Sequence, residues 1–411
     1  MFQAGFREVV YALSDALDLV GVDEVAHGKR VGIMAAQCAR AAGWPDEEVR
    51  LVFDAGLLHD IGVSRTTLHR KLVEEFDWAG SEVHAIDGYG ILHDFRPLAH
   101  LALPIRYHHA RWEQLVAEGV DETVRRRANL LFLADRVDAL AMRRGSVVNA
   151  LLQRGSLQAE IESRRDTYFD PALVEAFLRA SSHEAFWLSL ETDAIYSYLG
   201  EMLASSRPLA ATHAEMLQLG RIFGRIVDAK SPFTAEHSSG VANLARRLGE
   251  RMGMDEARCN ELEMAGLLHD IGKLRVPDHI LDKPGPLDDD ERMVMHTHSF
   301  GTMQILRKIR GFESIASWSA DHHEAPGGRG YPYGLDGAAL PVEARILRVA
   351  DIFQAMIQDR PYRAGLTPRE AAEFMRALVA GGGVDADITA VLLQDVEEMV
   401  KVARSGTPVS G

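Results

Sequence analysis

Apolar residues recur at three- and four-residue intervals along most of the chain. Ile33, Met34, Ala35, Ala36, Cys38 and Ala39 do so in one segment, and Val241, Ala242, Leu244, Ala245 and Leu248 in another. That spacing gathers them into one stripe of a helix, and no sustained alternation of the strand kind competes with it. The pattern predicts an all-α fold. Met216, Leu217, Leu219, Ile222, Phe223, Ile226 and Val227 continue it, predicting a helix that opens a second domain or packs between two. Thr367 ahead of Pro368 predicts a helix start, with threonine as the cap and proline at the first helical position. No apolar run approaches the length of a membrane span.

One motif in this helical background occurs twice. Leu57-Leu58-His59-Asp60-Ile61-Gly62-Val63 is matched by Leu267-Leu268-His269-Asp270-Ile271-Gly272-Lys273. Further histidines and aspartates flank each copy at matching intervals: His27, His84, His108, His109 and Asp135 in the first, and His237, His298, His322, His323 and Asp351 in the second. The first histidine precedes the His-Asp pair by 32 residues in both copies, and the third precedes the His-His pair by 24 in both. Ten of the 17 histidines lie on these positions, so coincidence of unrelated packing histidines is a poor explanation. The chain reads as a tandem duplication of a metal-ligand framework.

Its 411 residues suit two domains. The repeats place one at residues 1–180 and another at 212–400, with a linker at 181–211 and a flexible tail at 401–411. A net charge of −15 argues against a polynucleotide or an anionic membrane as partner. A small phosphate ligand is compatible with it, because a metal supplies local positive charge. Arg125, Arg126 and Arg127 read as a solvated helix face. Cys38 and Cys259 read as buried packing residues rather than a disulfide. With no signal-peptide pattern at the N-terminus, a cytoplasmic location is expected.

Imidazoles and carboxylates without thiolates suit Fe, Mn, Zn or Ni. Seven such residues in the second copy are too many for one tetrahedral ion and suit two. Asp270, shared between them, would hold the ions about 3.5–4 Å apart, the spacing at which two metals activate a bridging hydroxide and clamp a phosphoryl group. Hydrolysis of a phosphoester follows as the reaction class. Lys273, one turn beyond Asp270, could hold a phosphate oxygen or protonate the leaving alkoxide. After His322-His323 comes a glycine-rich stretch, Glu324 to Pro332, whose glycines permit close approach to a ligand. The first copy has Val63 in place of the lysine and Ala110-Arg111-Trp112-Glu113-Gln114 in place of that loop.

These residues resemble the HD-GYP phosphodiesterases, a branch of the HD superfamily that hydrolyses cyclic di-GMP. The resemblance covers roughly residues 212–400 and rests on His269 to Lys273, Leu281 to Leu287, Glu291 to His298, His322-His323-Glu324, Gly330-Tyr331-Pro332, Asp351 and Asp359 to Arg363. It implies metal-ligand roles for His237, His269, Asp270, His298, His322, His323 and Asp351. It further implies a catalytic role for Lys273 beside Asp270, and nucleotide contacts for Lys283, Tyr331 and Arg363. Two divalent ions, iron or manganese, are expected, with pGpG or GMP as product. Some members bind a third metal through a glutamate four residues before the first histidine. That position is Phe233 here, so two are expected. Gly327-Gly328 departs from the family's usual Asp-Gly. The first copy is similar to a plain HD domain with its ligand set retained, which implies a domain that binds metal and regulates or dimerises but hydrolyses weakly. Cyclic GMP-AMP is the alternative substrate, and a non-catalytic cyclic-dinucleotide effector the alternative class. A homodimer or a signalling protein is compatible with either.

Overall fold

The computed structural model describes residues 5–19, 26–63, 80, 82–204, 212–230, 237–359 and 364–405. The described residues are helical apart from turns, loops and two isolated β-bridges. The chain divides into two compact units, one of Arg7–Arg207 and one of Pro208–Gly411 together with Met1–Phe6.

Each unit is organised around the same helix pair. Helices His27–Ala41 and Asp46–Leu58 pack together in the first, and His237–Arg251 and Glu256–Leu268 in the second. Small residues let them come close. A Cβ on Gly56 would lie 2.5 Å from Gly32 Cα, and one on Gly266 would lie 2.6 Å from Ala242 Cα. A long helix crosses each pair: Glu122–Met142, capped by Asp121 onto the Thr123 and Val124 amides, and Val342–Ile357. Their buried faces include Leu130, Leu133 and Val137 in one, and Ile346, Leu347 and Phe353 in the other, as the apolar periodicity requires.

The helix expected from Met216 to Val227 spans His213–Lys230. Thr367 caps helix Pro368–Ala380, its hydroxyl accepting from the Glu370 amide, while the Glu370 carboxylate accepts from the Thr367 amide. Cys38 and Cys259 are buried and free. Of the segment 181–211, read above as a linker, residues 181–204 are described and are mostly helical. Helices Glu184–Leu188 and Thr192–Ala204 belong to the first unit. Ile195, Leu199 and Met202 form a buried stripe, Arg7 donates to the Met202 carbonyl at 2.7 Å, and the Trp187 indole donates to the Ser181 carbonyl at 2.9 Å. Helix Val396–Arg404 likewise enters the stretch read as a tail. No described helix is long and apolar enough to cross a membrane.

Candidate metal centre

In the second unit the framework residues converge from six elements. His237 opens its helix, His269 ends the next, and Asp270 follows it into a 3-10 turn, Ile271–Arg275. His298 lies on helix Asp289–Leu306, His322 and His323 on a 3-10 turn, and Asp351 on helix Val342–Ile357. Gly272 makes this geometry possible, since a Cβ there would sit 2.0 Å from the His298 carbonyl oxygen. Thr302 ties the turn down, its hydroxyl accepting from the Gly272 amide and donating to the His269 carbonyl.

The ligating atoms form two triads, His237/His269/Asp351 and His298/His322/His323, each with its atoms within 4.8 Å of one another. Asp270 stands between them. Its Oδ2 is 3.2 Å from His269 Nε2, and its Oδ1 is 3.5 Å from His298 Nε2 and 3.9 Å from His322 Nε2. Asp351 Oδ1 lies 3.0 Å from His237 Nε2. His269, His298 and His322 direct Nδ1 at the carbonyls of Gly266, Met295 and Ser319, at 2.8, 2.6 and 2.6 Å. A carbonyl only accepts, so Nδ1 carries the proton and the Nε2 lone pair faces the centre. Burial pushes His322 down to about 3 and His298 down to about 4, which keeps both neutral as ligation requires. Asp270 is held well below the usual carboxylate range: burial opposes this, but His269 and Lys273 outweigh it. His269 Nε2, His322 Nε2 and Asp270 Oδ1 are buried without a hydrogen-bond partner. Unpaired inward-facing nitrogens around a carboxylate form a donor set that fits divalent cations.

Lys273 approaches Asp270 Oδ2 to 2.5 Å. The following loop is shaped by Glu324, fully buried, whose carboxylate accepts from the Tyr333, Gly334 and Leu335 amides. A Cβ on Gly330 would lie 2.3 Å from Glu324 Cα, so only glycine fits there. The loop lays Tyr331 against His323, ring centres 4.7 Å apart, and His296 stacks on Tyr331 at 3.7 Å. Lys283 is placed in an ion pair with Glu291. Arg363 lies outside the described residues, as do Phe233 and Pro361.

The first unit repeats the arrangement with different support. The ligating groups again fall into triads, His27/His59/Asp135 and His84/His108/His109. Asp60 Oδ1 lies 3.2 Å from His84 Nε2, and its Oδ2 is 3.5 Å from His59 Nε2. His59 and His108 direct Nδ1 at the Gly56 and Ile105 carbonyls. Val63 is buried, and its amide bonds to the Asp60 carbonyl at 2.7 Å, just as Lys273 bonds to Asp270 at 2.8 Å. The same backbone hydrogen bond therefore follows each His-Asp pair, with valine in place of the lysine. After His109 the chain enters helix Trp112–Ala117, whose first amides bond to Tyr168 and Thr167 carbonyls.

Three groups around the first centre escape the repeat comparison. Asp138 accepts from His27 Nδ1 at 2.7 Å and is itself held by Arg30, with Nε at 2.7 Å and Nη2 at 2.9 Å. Arg136 bonds to Asp135 at 2.8 Å. Arg30 and Asp138 each stand three residues, one helical turn, beyond a predicted ligand, and that offset was the available signal. At the same offsets the second unit has Gly240 and Gln354, and a Cβ on Gly240 would lie 2.4 Å from Gln354 Cδ. A glutamine amide thus fills the volume that the ion pair takes in the first.

Family models described as HD domain match residues 221–388 and 25–140. The chain is 34% identical over 414 residues to 3'3'-cGAMP-specific phosphodiesterase 1 of Vibrio cholerae serotype O1, covering 99% of this chain and 95% of that protein. It is also 34% identical over 178 residues to the cyclic di-GMP phosphodiesterase response regulator RpfG of Xanthomonas campestris, covering 43% of this chain and 46% of that one. The crystal structure of a cyclic GMP-AMP specific phosphodiesterase of V. cholerae, V-cGAP3, shares the fold, with a TM-score of 0.63, 24% identity and 98% coverage of each chain. Two HD domains, and an end-to-end likeness to an enzyme of this kind, place the chain in the tandem HD-domain phosphodiesterases of the HD-GYP type.

Proposed function

We propose that the second unit hydrolyses a phosphodiester of 3'3'-cyclic GMP-AMP, using two divalent ions held by His237, His269, Asp270, His298, His322, His323 and Asp351. The observation that carries the two-ion reading is Asp270, with one oxygen toward each triad. Iron or manganese fits this hard and borderline donor set. The ions would supply Lewis acidity to the phosphoryl group and an activated water. Cyclic di-GMP, the substrate first expected from the sequence, becomes the alternative, because the relative matched end to end is named for 3'3'-cGAMP.

The protein's own residues do the rest. Nδ1–H groups fixed on carbonyls keep the rings of His269, His298 and His322 aimed inward, so little reorganisation of these three accompanies substrate binding. Lys273, tethered to Asp270, places an ammonium where a phosphate oxygen carries charge or where the leaving alkoxide takes a proton. Tyr331, stacked on His323 and His296, is beside the metal ligands, where it would meet the nucleotide. Lys283 is committed to Glu291 in the free protein, so any nucleotide contact it makes requires that pair to open. The first unit would bind metal without hydrolysing efficiently, because Val63 and helix Trp112–Ala117 replace the lysine and the loop.

Metal-loaded protein, handled anaerobically, is to be incubated with 3'3'-cGAMP and with cyclic di-GMP in parallel. Faster opening of 3'3'-cGAMP to a linear dinucleotide is expected. Preference for cyclic di-GMP would reverse the substrate assignment, and tight binding of both without turnover would make the protein an effector. Lys273→Met should lower turnover about 10²- to 10³-fold, the scale of losing one transition-state donor, with metal content unchanged.

A further inference from the structure

Helix Val342–Ile357 carries Arg345, Arg348 and Asp351 at one-turn intervals. Arg345 is neutralised by Asp385 at 2.6 Å. Arg348 is half-buried and lacks such a partner. Its Nε donates to the Gly383 carbonyl at 2.6 Å, and neither terminal nitrogen is hydrogen-bonded or ion-paired among the described residues. It is nevertheless in the neighbourhood of the centre. Burial holds its pKa down, while Asp351, Tyr331 and Glu324 draw it up.

The first unit shows what this position faces. Three residues before Asp135 stands Phe132, buried, edge-on to His109 at 5.7 Å and packed on Phe169 at 5.4 Å. The spot one turn before the helix aspartate therefore looks onto the second histidine of the His-His pair. In the second unit Tyr331 covers that histidine and a guanidinium takes the place of the phenyl ring. Partial burial of an unpaired cation is costly unless an anion joins it, and a planar fork of N–H donors matches phosphate oxygens better than any other protein cation. Gly383 anchors one edge of the group and leaves the other free for a ligand.

We propose that Arg348 is a substrate-binding residue of the second unit, its terminal nitrogens gripping the oxygens of the phosphate of the cyclic dinucleotide that is not being cleaved, beside Tyr331. This rests on the reading that the unit takes a cyclic dinucleotide. The distinction from Lys273 is one of role. Lys273 is tied to Asp270 and the reacting phosphorus, whereas Arg348 is anchored on Gly383 and contributes binding.

The test compares wild-type full-length, metal-loaded protein with Arg348→Met and Arg348→Lys. Titration calorimetry with 3'3'-cGAMP and with cyclic di-GMP is read beside metal content and hydrolysis of bis(p-nitrophenyl) phosphate, a small diester that reports on the metal centre alone. Arg348→Met should weaken dinucleotide binding and raise KM about 10- to 100-fold, the scale of charge-assisted hydrogen bonds. Metal content and small-diester turnover should hold, and Arg348→Lys should recover part of the loss. Unchanged dinucleotide affinity in Arg348→Met would overturn the proposal, as would parallel loss of metal and small-diester turnover, which marks a structural residue. If wild-type protein bound neither dinucleotide, the functional reading itself would fall together with it.

Discussion

Asp270 uses both carboxylate oxygens, one toward His269 and Lys273 and the other toward His298 and His322. Asp270→Asn would keep the shape but remove the charge that offsets two cations, so the second unit should lose metal and at least 10²-fold in turnover, on the scale by which electrostatic groups act at such sites. Elemental analysis beside activity checks both. Away from the centre, Asp54 is a buried carboxyl with one oxygen unpartnered and the other 3.3 Å from Arg7. Burial raises its pKa from 3.8 to about 6, outweighing the Arg7 and Arg50 guanidiniums. The sign follows: its contribution is complete below pH 3.8 and is lost as pH rises through about 6. Denaturant midpoints of chelator-treated protein should therefore fall between pH 4 and 6 by less in Asp54→Asn than in wild type; equal slopes would remove Asp54 from the account. At this scale the sequence was informative where a residue repeats at a matched interval. Asp138, Arg30 and Arg348 were hidden because each differs between the copies, and their importance comes from what they face.

Turns and loops, more than helices, separate the two centres. Each His-Asp pair is followed by a glycine held for the same reason: a Cβ on Gly62 or Gly272 would lie about 2 Å from the carbonyl oxygen of His84 or His298. The loop held by Glu324 has no counterpart among the described residues of the first unit. Gly330→Ala would drive a methyl into the Glu324 backbone, so Tyr331 should leave His323. The expected result is a raised KM for the dinucleotide with metal content retained; an unchanged KM would detach the loop from substrate binding. Helical periodicity predicted most elements, down to the Thr367 cap. It could not predict that helix Thr192–Ala204 belongs to the first unit, because an amphipathic stripe says that a helix is covered without saying by what. The Lys273 turn, read as helix from its spacing, is a 3-10 turn, tightened by the close approach of Gly272 to His298.

Across the whole molecule, duplication gives two donor sets, and divergence gives the second a lysine and a glycine-rich loop where the first has Val63 and helix Trp112–Ala117. The first keeps triads, a shared Asp60 and inward-facing histidines, and adds the Asp138–Arg30 support behind His27. A carboxylate behind a ligating imidazole fixes its ring and raises its basicity. Full-length protein carrying Asp270→Asn should thus retain metal in the first unit, and adding Asp138→Asn should lower that residual content about 10- to 100-fold in affinity. The catalytic role of the second unit is the central claim, and it meets its most direct test in the rate of 3'3'-cGAMP opening by metal-loaded full-length Asp60→Asn and Asp270→Asn. Asp60→Asn should keep most of the wild-type rate while Asp270→Asn loses nearly all of it; loss in Asp60→Asn with activity retained in Asp270→Asn would place the chemistry in the first unit and contradict the account.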